Sequence, residues 1–143
     1  MSKSISLFAA FLGSLLIALN AQAAPDRIGD FALLDGSGEF HQLSRSRHQD
    51  AIVMMAYADS CSAMSSMVEQ FKAVQTQWQD QNIGFMLIDA EDVGRASVAA
   101  MDVGMPVLVD DGQLVSETLG LTTAGEVVVL DPKQLTVLYR GPV

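Results

Sequence analysis

Ala51-Ile-Val-Met-Met-Ala-Tyr57 is an unbroken apolar run, and it constrains the fold more than any other stretch. A run of strand length without polar alternation suits a strand covered on both faces, as at the centre of a parallel sheet. A short loop follows, and then Met64, Met67, Val68, Phe71, Val74 and Trp78 recur at steps of three and four. That spacing predicts an amphipathic helix from Cys61 to Gln81, with Trp78 near its end covering the core. Asp59 or Ser60 is the expected N-cap. The only cysteine of the chain, Cys61, therefore falls where loop becomes helix. Backbone N–H groups and the helix dipole favour a thiolate at such a junction, while the carboxylate of Asp59 works against it.

The flanking segments build a sheet around this unit. Phe31–Asp35 and Glu39–Leu43 read as short strands joined by Gly36-Ser37-Gly38, a small hairpin. Ser44–Asp50 is a charged connector. Ile83–Asp89 is a second buried strand, ending in the acidic loop Asp89–Asp92, which reads as solvated rather than as a hard-cation site. Val93–Val103 reads as a weaker helix, Pro106–Val109 as a short apolar run and Asp110-Asp111-Gly112 as a turn. Leu114–Leu119 is a short helix closed by Gly120. Glu126–Leu130 is a third strand, and Leu135–Tyr139 returns antiparallel after a turn at Asp131–Gln134. The order predicts an α/β sandwich with a mixed central sheet and an N-terminal β-hairpin.

The first 23 residues stand apart. Lys3, the apolar run Leu7–Leu19 and the small-x-small triplet Ala21-Gln22-Ala23 have the pattern of a secretory signal peptide cut before Ala24. Residues 1–23 are then the signal and 24–143 the working domain. A periplasmic or secreted location follows, without stable membrane insertion after cleavage. In that oxidising compartment one cysteine makes no internal disulfide. Cys61 is therefore buried and inert, free and reactive, metal-bound, or paired with another molecule. The chain carries 17 acidic and 8 basic residues, a net charge of −9. This argues against nucleic acid and anionic membranes as partners, which need basic patches. No nucleotide-binding, zinc-protease or serine-hydrolase motif occurs, and no cofactor is implied.

The pattern as a whole resembles a known family. A hairpin leads into an apolar strand and a cysteine at the start of a long helix. The later pieces Pro106-Val-Leu-Val-Asp110 and Glu126 to Gly141 complete the likeness. The chain resembles the thioredoxin-like redoxins related to the AhpC/TSA peroxiredoxins and to exported TlpA-type thiol-disulfide proteins. The resemblance covers Pro25 to Val143 and implies a thioredoxin-like α/β sandwich. It places the attacking thiol on Cys61. It also places the substrate-docking region at Ala124 and Gly125, with Gly125 where the family has a cis-proline. The resolving cysteine of a C-x-x-C pair falls on Met64, and the peroxidatic Pro and Thr fall on Met54 and Ala58. None of these matches the family residue. The helix that usually closes the family's fold after the final strand is not seen in the sequence.

Two functional expectations follow. In one, an exported redoxin acts as a one-cysteine thiol oxidoreductase, on disulfides or peroxides, with a thiol-containing protein or a small thiol as partner. In the other, a non-catalytic redoxin-fold module binds a partner protein or Cu(I). Soft sulfur ligands select Cu(I), and Cys61 with Met64 is the candidate pair, joined by His41 or His48 if the fold brings one close. Against that, methionines fill cores readily, and Met54, Met55 and Met67 sit where core residues are expected.

Overall fold

The computed structural model describes residues 26–143. The signal-peptide assignment lies outside the described residues. Seven strands and three α-helices follow in the order β1 (Ala32–Leu34), β2 (Phe40–Gln42), β3 (Ala51–Tyr57), α1 (Met64–Gln77), β4 (Ile83–Asp89), α2 (Arg95–Ala99), β5 (Val107–Leu108), α3 (Leu114–Leu119), β6 (Glu126–Asp131) and β7 (Thr136–Pro142). No helix among them is long and apolar enough to cross a membrane.

Five strands form one mixed sheet in the order β5-β4-β3-β6-β7. β3, β4 and β5 run parallel, while β6 is antiparallel to both β3 and β7. Parallel neighbours need a crossover, and α1 supplies it between β3 and β4. The expected hairpin is present, with Leu33 opposite His41, but it forms a separate two-stranded sheet. Backbone bonds from Val109 N–H to the Leu34 carbonyl (2.8 Å) and from Gly36 N–H to the Val107 carbonyl (3.3 Å) hook it onto β5.

β3 is central and buried along nearly its whole length, as its unbroken apolar run requires. Its residues alternate between two cores because strand side chains alternate between faces. Val53, Met55 and Tyr57 pack with Met64, Val68, Phe71, Phe85, Leu87 and Val127 on the α1 face. Ile52, Met54 and Ala56 pack with Leu43, Ile88, Leu119, Val128 and Leu130 on the other. Phe71 of α1 meets Phe85 of β4 edge to face, with centroids 5.6 Å apart. Such a pair adds about 0.5–1.5 kcal/mol beyond its buried area.

Four expectations need correction. The long helix begins at Met64, not Cys61, and its N-cap is Ala63, with no side-chain hydrogen bond. Asp59 and Ser60 are engaged elsewhere, as shown below. The second helix covers only Arg95–Ala99. Trp78, expected over the core, is 47% exposed. The helix Leu114–Leu119 and its left-handed Gly120 cap (φ 70°) match the reading from sequence.

Candidate functional site

Cys61 is half-buried, in the loop that joins the C-terminal end of β3 to α1. Two tight turns shape that loop. Cys61 N–H donates to the Ala58 carbonyl (3.0 Å), and the Cys61 carbonyl accepts Met64 N–H (2.9 Å). The thiol therefore sits two residues before the helix cap, not in the first turn. The strongest dipole effect lies within that first turn.

The acidic loop after β4 fixes the other side of this site. Glu91 accepts hydrogen bonds from both the backbone N–H and the hydroxyl of Ser60, the residue before the thiol. These bonds hold the Glu91 carboxyl below its ordinary value, the Ser60 hydroxyl contributing most. Tyr57 donates its hydroxyl to Asp59 (3.1 Å). Burial, then the Asp59 carboxylate, pushes the Tyr57 phenol upward. Asp89, at the end of β4, is buried and accepts the N–H groups of Glu91 and Val93, both at 3.0 Å. A solvated loop is therefore not what Asp89–Asp92 forms. It is pinned from beneath by Asp89, and it latches the cysteine loop through Glu91.

Cys61 opens onto a cavity of about 450 Å³ between α1 and the segment after α2. Asp59, Glu69 and Asp102 line it against one basic residue, Lys72. Met64 lines it too, 3% exposed, so the structure does bring Cys61 and Met64 together. No histidine lines this cavity. His41 points to the opposite face of the sheet, beside Leu43, Ile52 and Met54, and bonds to Asp35 (2.9 Å). His48 is exposed and contacts the Arg45 carbonyl. Met54 lies in the opposite core from Met64. Among the described residues, the Cu(I) set therefore stops at two sulfurs, one of them buried.

Ala124 and Gly125 lie on the other flank of α1. They line a separate cavity of about 490 Å³ with Ala63, Ser66, Met67 and Gln70. Gly125 has φ +85° and donates its N–H to the Ala56 carbonyl of β3 (2.8 Å). A Cβ at this position would overlap the Met67 sulfur. No cis peptide occurs among the described residues. The loop is thus built around glycine, with the Met67 side chain occupying the space beside it.

Sequence reasoning missed three buried aspartates that organise the loops. Besides Asp89, Asp110 accepts Ser116 N–H (2.7 Å) and Val115 N–H (3.1 Å), holding the start of α3. Asp35 closes the β1–β2 hairpin by accepting Ser37 N–H and Glu39 N–H, each at 2.9 Å. The available signal was position: each aspartate directly follows an apolar strand run, where a side-chain acceptor satisfies the next free N–H groups.

No protein-family model matches the sequence, and no curated protein sequence matches it. Solved structures do match in shape. The exposed lipoprotein thioredoxin of Streptococcus pneumoniae superposes with a TM-score of 0.66 at 18% identity, over 80% of this chain and 90% of that one. The thiol:disulfide interchange protein DsbE of Chlorobium tepidum gives a TM-score of 0.67 at 16% identity, over 82% of this chain and 84% of that one. Peroxidoxin BcpB of Mycobacterium tuberculosis gives 0.68 at 17% identity, with the same two coverages of 82% and 84%. Together with the mixed sheet, the α1 crossover and the N-terminal hairpin, these matches establish that residues 26–143 have the fold of the thioredoxin-like redoxins.

Proposed function

We propose that this protein is an exported thiol-disulfide oxidoreductase that works through Cys61 alone. The observation that carries the proposal is the position of Cys61: half-buried, at the end of the central strand, on an open cavity. The Cys61 thiolate attacks one sulfur of a disulfide on a partner protein or small molecule. A Cys61–partner disulfide forms, the original S–S bond breaks, and its other sulfur leaves as a thiolate. A thiol from a second molecule then attacks the mixed disulfide and releases Cys61 as thiolate. Met64 carries no thiol, so resolution comes from outside the chain. The Ser60–Glu91 latch and the two turns around Cys61 hold the sulfur in place.

Export is supported by the Leu7–Leu19 run and the Ala21-Gln22-Ala23 triplet. Two measurements test the reading. Incubation of the native protein with a small disulfide should give one mixed-disulfide adduct per chain by mass spectrometry. The adduct should be absent in Cys61→Ser and removable by added thiol. Reaction seen only after unfolding in urea would end the proposal. N-terminal sequencing of the protein from a secreting cell should begin at Ala24, and an intact Met1 in the cytoplasmic fraction would refute export.

A further inference from the structure

The N-terminal hairpin gathers three donor side chains on one face. Asp35 follows β1. Glu39 and His41 stand two apart where β2 begins, so strand alternation sends both to the same side. Phe40 between them leaves the other side, where the Arg45 guanidinium lies 5.6 Å from its ring centroid. One donor atom from each of Asp35, Glu39 and His41 lies within 4.8 Å of the other two. Asp35 is buried, at 5% exposure, and its two oxygens have different tasks. Oδ1 accepts the Ser37 N–H (2.9 Å), the Ser37 hydroxyl (2.6 Å) and the Glu39 N–H (2.9 Å). Oδ2 has one partner, His41 Nε2, at 2.9 Å. The three bonds on Oδ1 fix the orientation of the carboxylate, as outer partners do for a metal-bound one.

The charges of this cluster are not balanced. Asp35 and Glu39 bring two carboxylates together, and like charges that close repel. Among the described residues no lysine or arginine forms an ion pair with either. Arg95 lies beside Gly38 at the hairpin turn and pairs with neither. The exposed Glu39 donates its backbone N–H to Asp35, while its own carboxylate accepts no hydrogen bond among the described residues. A divalent cation supplies the missing charge, and the donors select its kind. One imidazole nitrogen and two carboxylates suit Zn²⁺ and its first-row neighbours, whereas Ca²⁺ and Mg²⁺ take oxygen ligands. Around an ion with bonds of about 2.0–2.2 Å, neighbouring donors lie about 2.9–3.4 Å apart. Asp35 Oδ2 and His41 Nε2 already have that spacing, and Glu39 closes its gap by rotating an exposed side chain. The neutral His41 tautomer with its proton on Nδ1 leaves the Nε2 lone pair to the ion.

We propose that Asp35, Glu39 and His41 bind a divalent transition-metal ion of the Zn²⁺ class, with water in its remaining positions, and that this ion clamps the hairpin. The hairpin is a sheet of its own, hooked to β5 by backbone bonds from Gly36 and Val109. An ion shared by Asp35 and His41 ties the end of β1 to β2 directly. The test titrates Zn²⁺ into the untagged full chain carrying Cys61→Ser, so that the thiol offers no competing ligand. Equilibrium dialysis should give one Zn²⁺ per chain, not displaced by excess Mg²⁺ or Ca²⁺. At a free Zn²⁺ concentration of about a hundred times Kd, urea unfolding should show the folded-to-unfolded ratio raised about a hundredfold. His41→Gln keeps a donor toward Asp35 and removes the imidazole, so the bound Zn²⁺ should be lost. Glu39 is exposed, so Glu39→Gln should fold as wild type and weaken binding by about tenfold or more. His48, exposed and hydrogen-bonded to the Arg45 carbonyl, is the control, and His48→Gln should bind as before. Four results would overturn the proposal: no saturable binding, equal displacement by Mg²⁺, binding unchanged in Glu39→Gln, or a loss in His48→Gln matching that in His41→Gln. Zn²⁺ binding without any gain in stability would overturn the clamp. His41 and Cys61 lie on opposite faces of the sheet, so this site and the thiol chemistry stand or fall separately.

Discussion

Gly125 stands where the redoxin resemblance places a proline, and Gly125→Pro should badly destabilise this protein. Three costs can be read from the structure. The backbone there has φ +85°, whereas proline is fixed near −65°, so the loop must rebuild. Proline has no N–H, so the 2.8 Å bond to the Ala56 carbonyl is lost at the edge of a buried strand; an unpaired buried acceptor costs about 1–3 kcal/mol. Any Cβ overlaps the Met67 sulfur, with Met67 Cε also only 3.1 Å away. Together the expected loss is at least about 3 kcal/mol, the usual cost of a misplaced proline. Gly125→Ala keeps the N–H and carries only the left-handed strain, about 1–2 kcal/mol, plus the Met67 overlap. Urea unfolding followed by Trp78 fluorescence measures each variant. Met67→Ala should recover the overlap part of the Gly125→Ala loss but little of the Gly125→Pro loss. If Gly125→Pro unfolds within about 0.5 kcal/mol of wild type, the typical range of a neutral surface change, the glycine-specific loop is wrong.

Further outcomes follow from the same geometry. Burial pushes the Asp35 carboxyl up, but bonds from Ser37, His41 and the Glu39 N–H outweigh it and hold it at about 2, against an ordinary 3.8. A depressed carboxylate stabilises the fold above its unfolded value, so this contribution is full above about pH 4 and is lost as pH falls toward 2. Its size is about 2 kcal/mol at 1.36 kcal/mol per unit; equilibrium unfolding should show Asp35→Asn losing about that much at neutral pH and lacking this acid-dependent part. Glu91→Gln removes the charged acceptor of Ser60, so it should cost about 1 kcal/mol and speed Cys61 alkylation by loosening the loop; an unchanged alkylation rate would show that the latch does not hold the thiol. The Cys61 cavity carries three carboxylates against Lys72. Cystamine, a cationic disulfide, should therefore react with Cys61 faster than the anionic glutathione disulfide, with the gap narrowing as salt rises; equal rates at low salt would rule out electrostatic selection.

The strands were legible because burial on both faces leaves an apolar run that nothing else explains. Ala51–Tyr57 and Ile83–Asp89 were readable for this reason, and so was the hairpin partner of Glu126–Leu130. The helix boundaries were not. Apolar spacing begins at Met64, but the three residues before it form turns whose bonds go to Ala58 and Met64. Local sequence cannot show that Ser60 spends its hydroxyl on Glu91, 31 residues away, instead of capping the helix. Asp89 was misread for a related reason: an aspartate in an acidic loop looks solvated until the strand that buries it is placed. Trp78 was misread because periodicity tells which face a residue shares, not whether anything packs against that face.

The placement of Cys61 and Gly125 decides how a substrate can be held. Resemblance alone would have one partner chain rest on residues 124–125 while its sulfur meets Cys61. In this molecule the two positions line different cavities, on opposite flanks of the first turn of α1. Ser65, Glu69 and Lys72 face the thiol side, while Ser66, Met67 and Gln70 face the glycine side. Met67 fills the space beside Gly125 from that second flank. Beside Cys61, its cavity is lined by Tyr57, Asp59, Lys72 and Asp102. The cavity at the glycine loop shares Pro142 and Val143 with a separate apolar cavity lined by Val74, Trp78 and Tyr139. One helix thus separates the acidic cavity at Cys61 from the cavity at Gly125, so the thiol and the glycine loop do not share one binding surface.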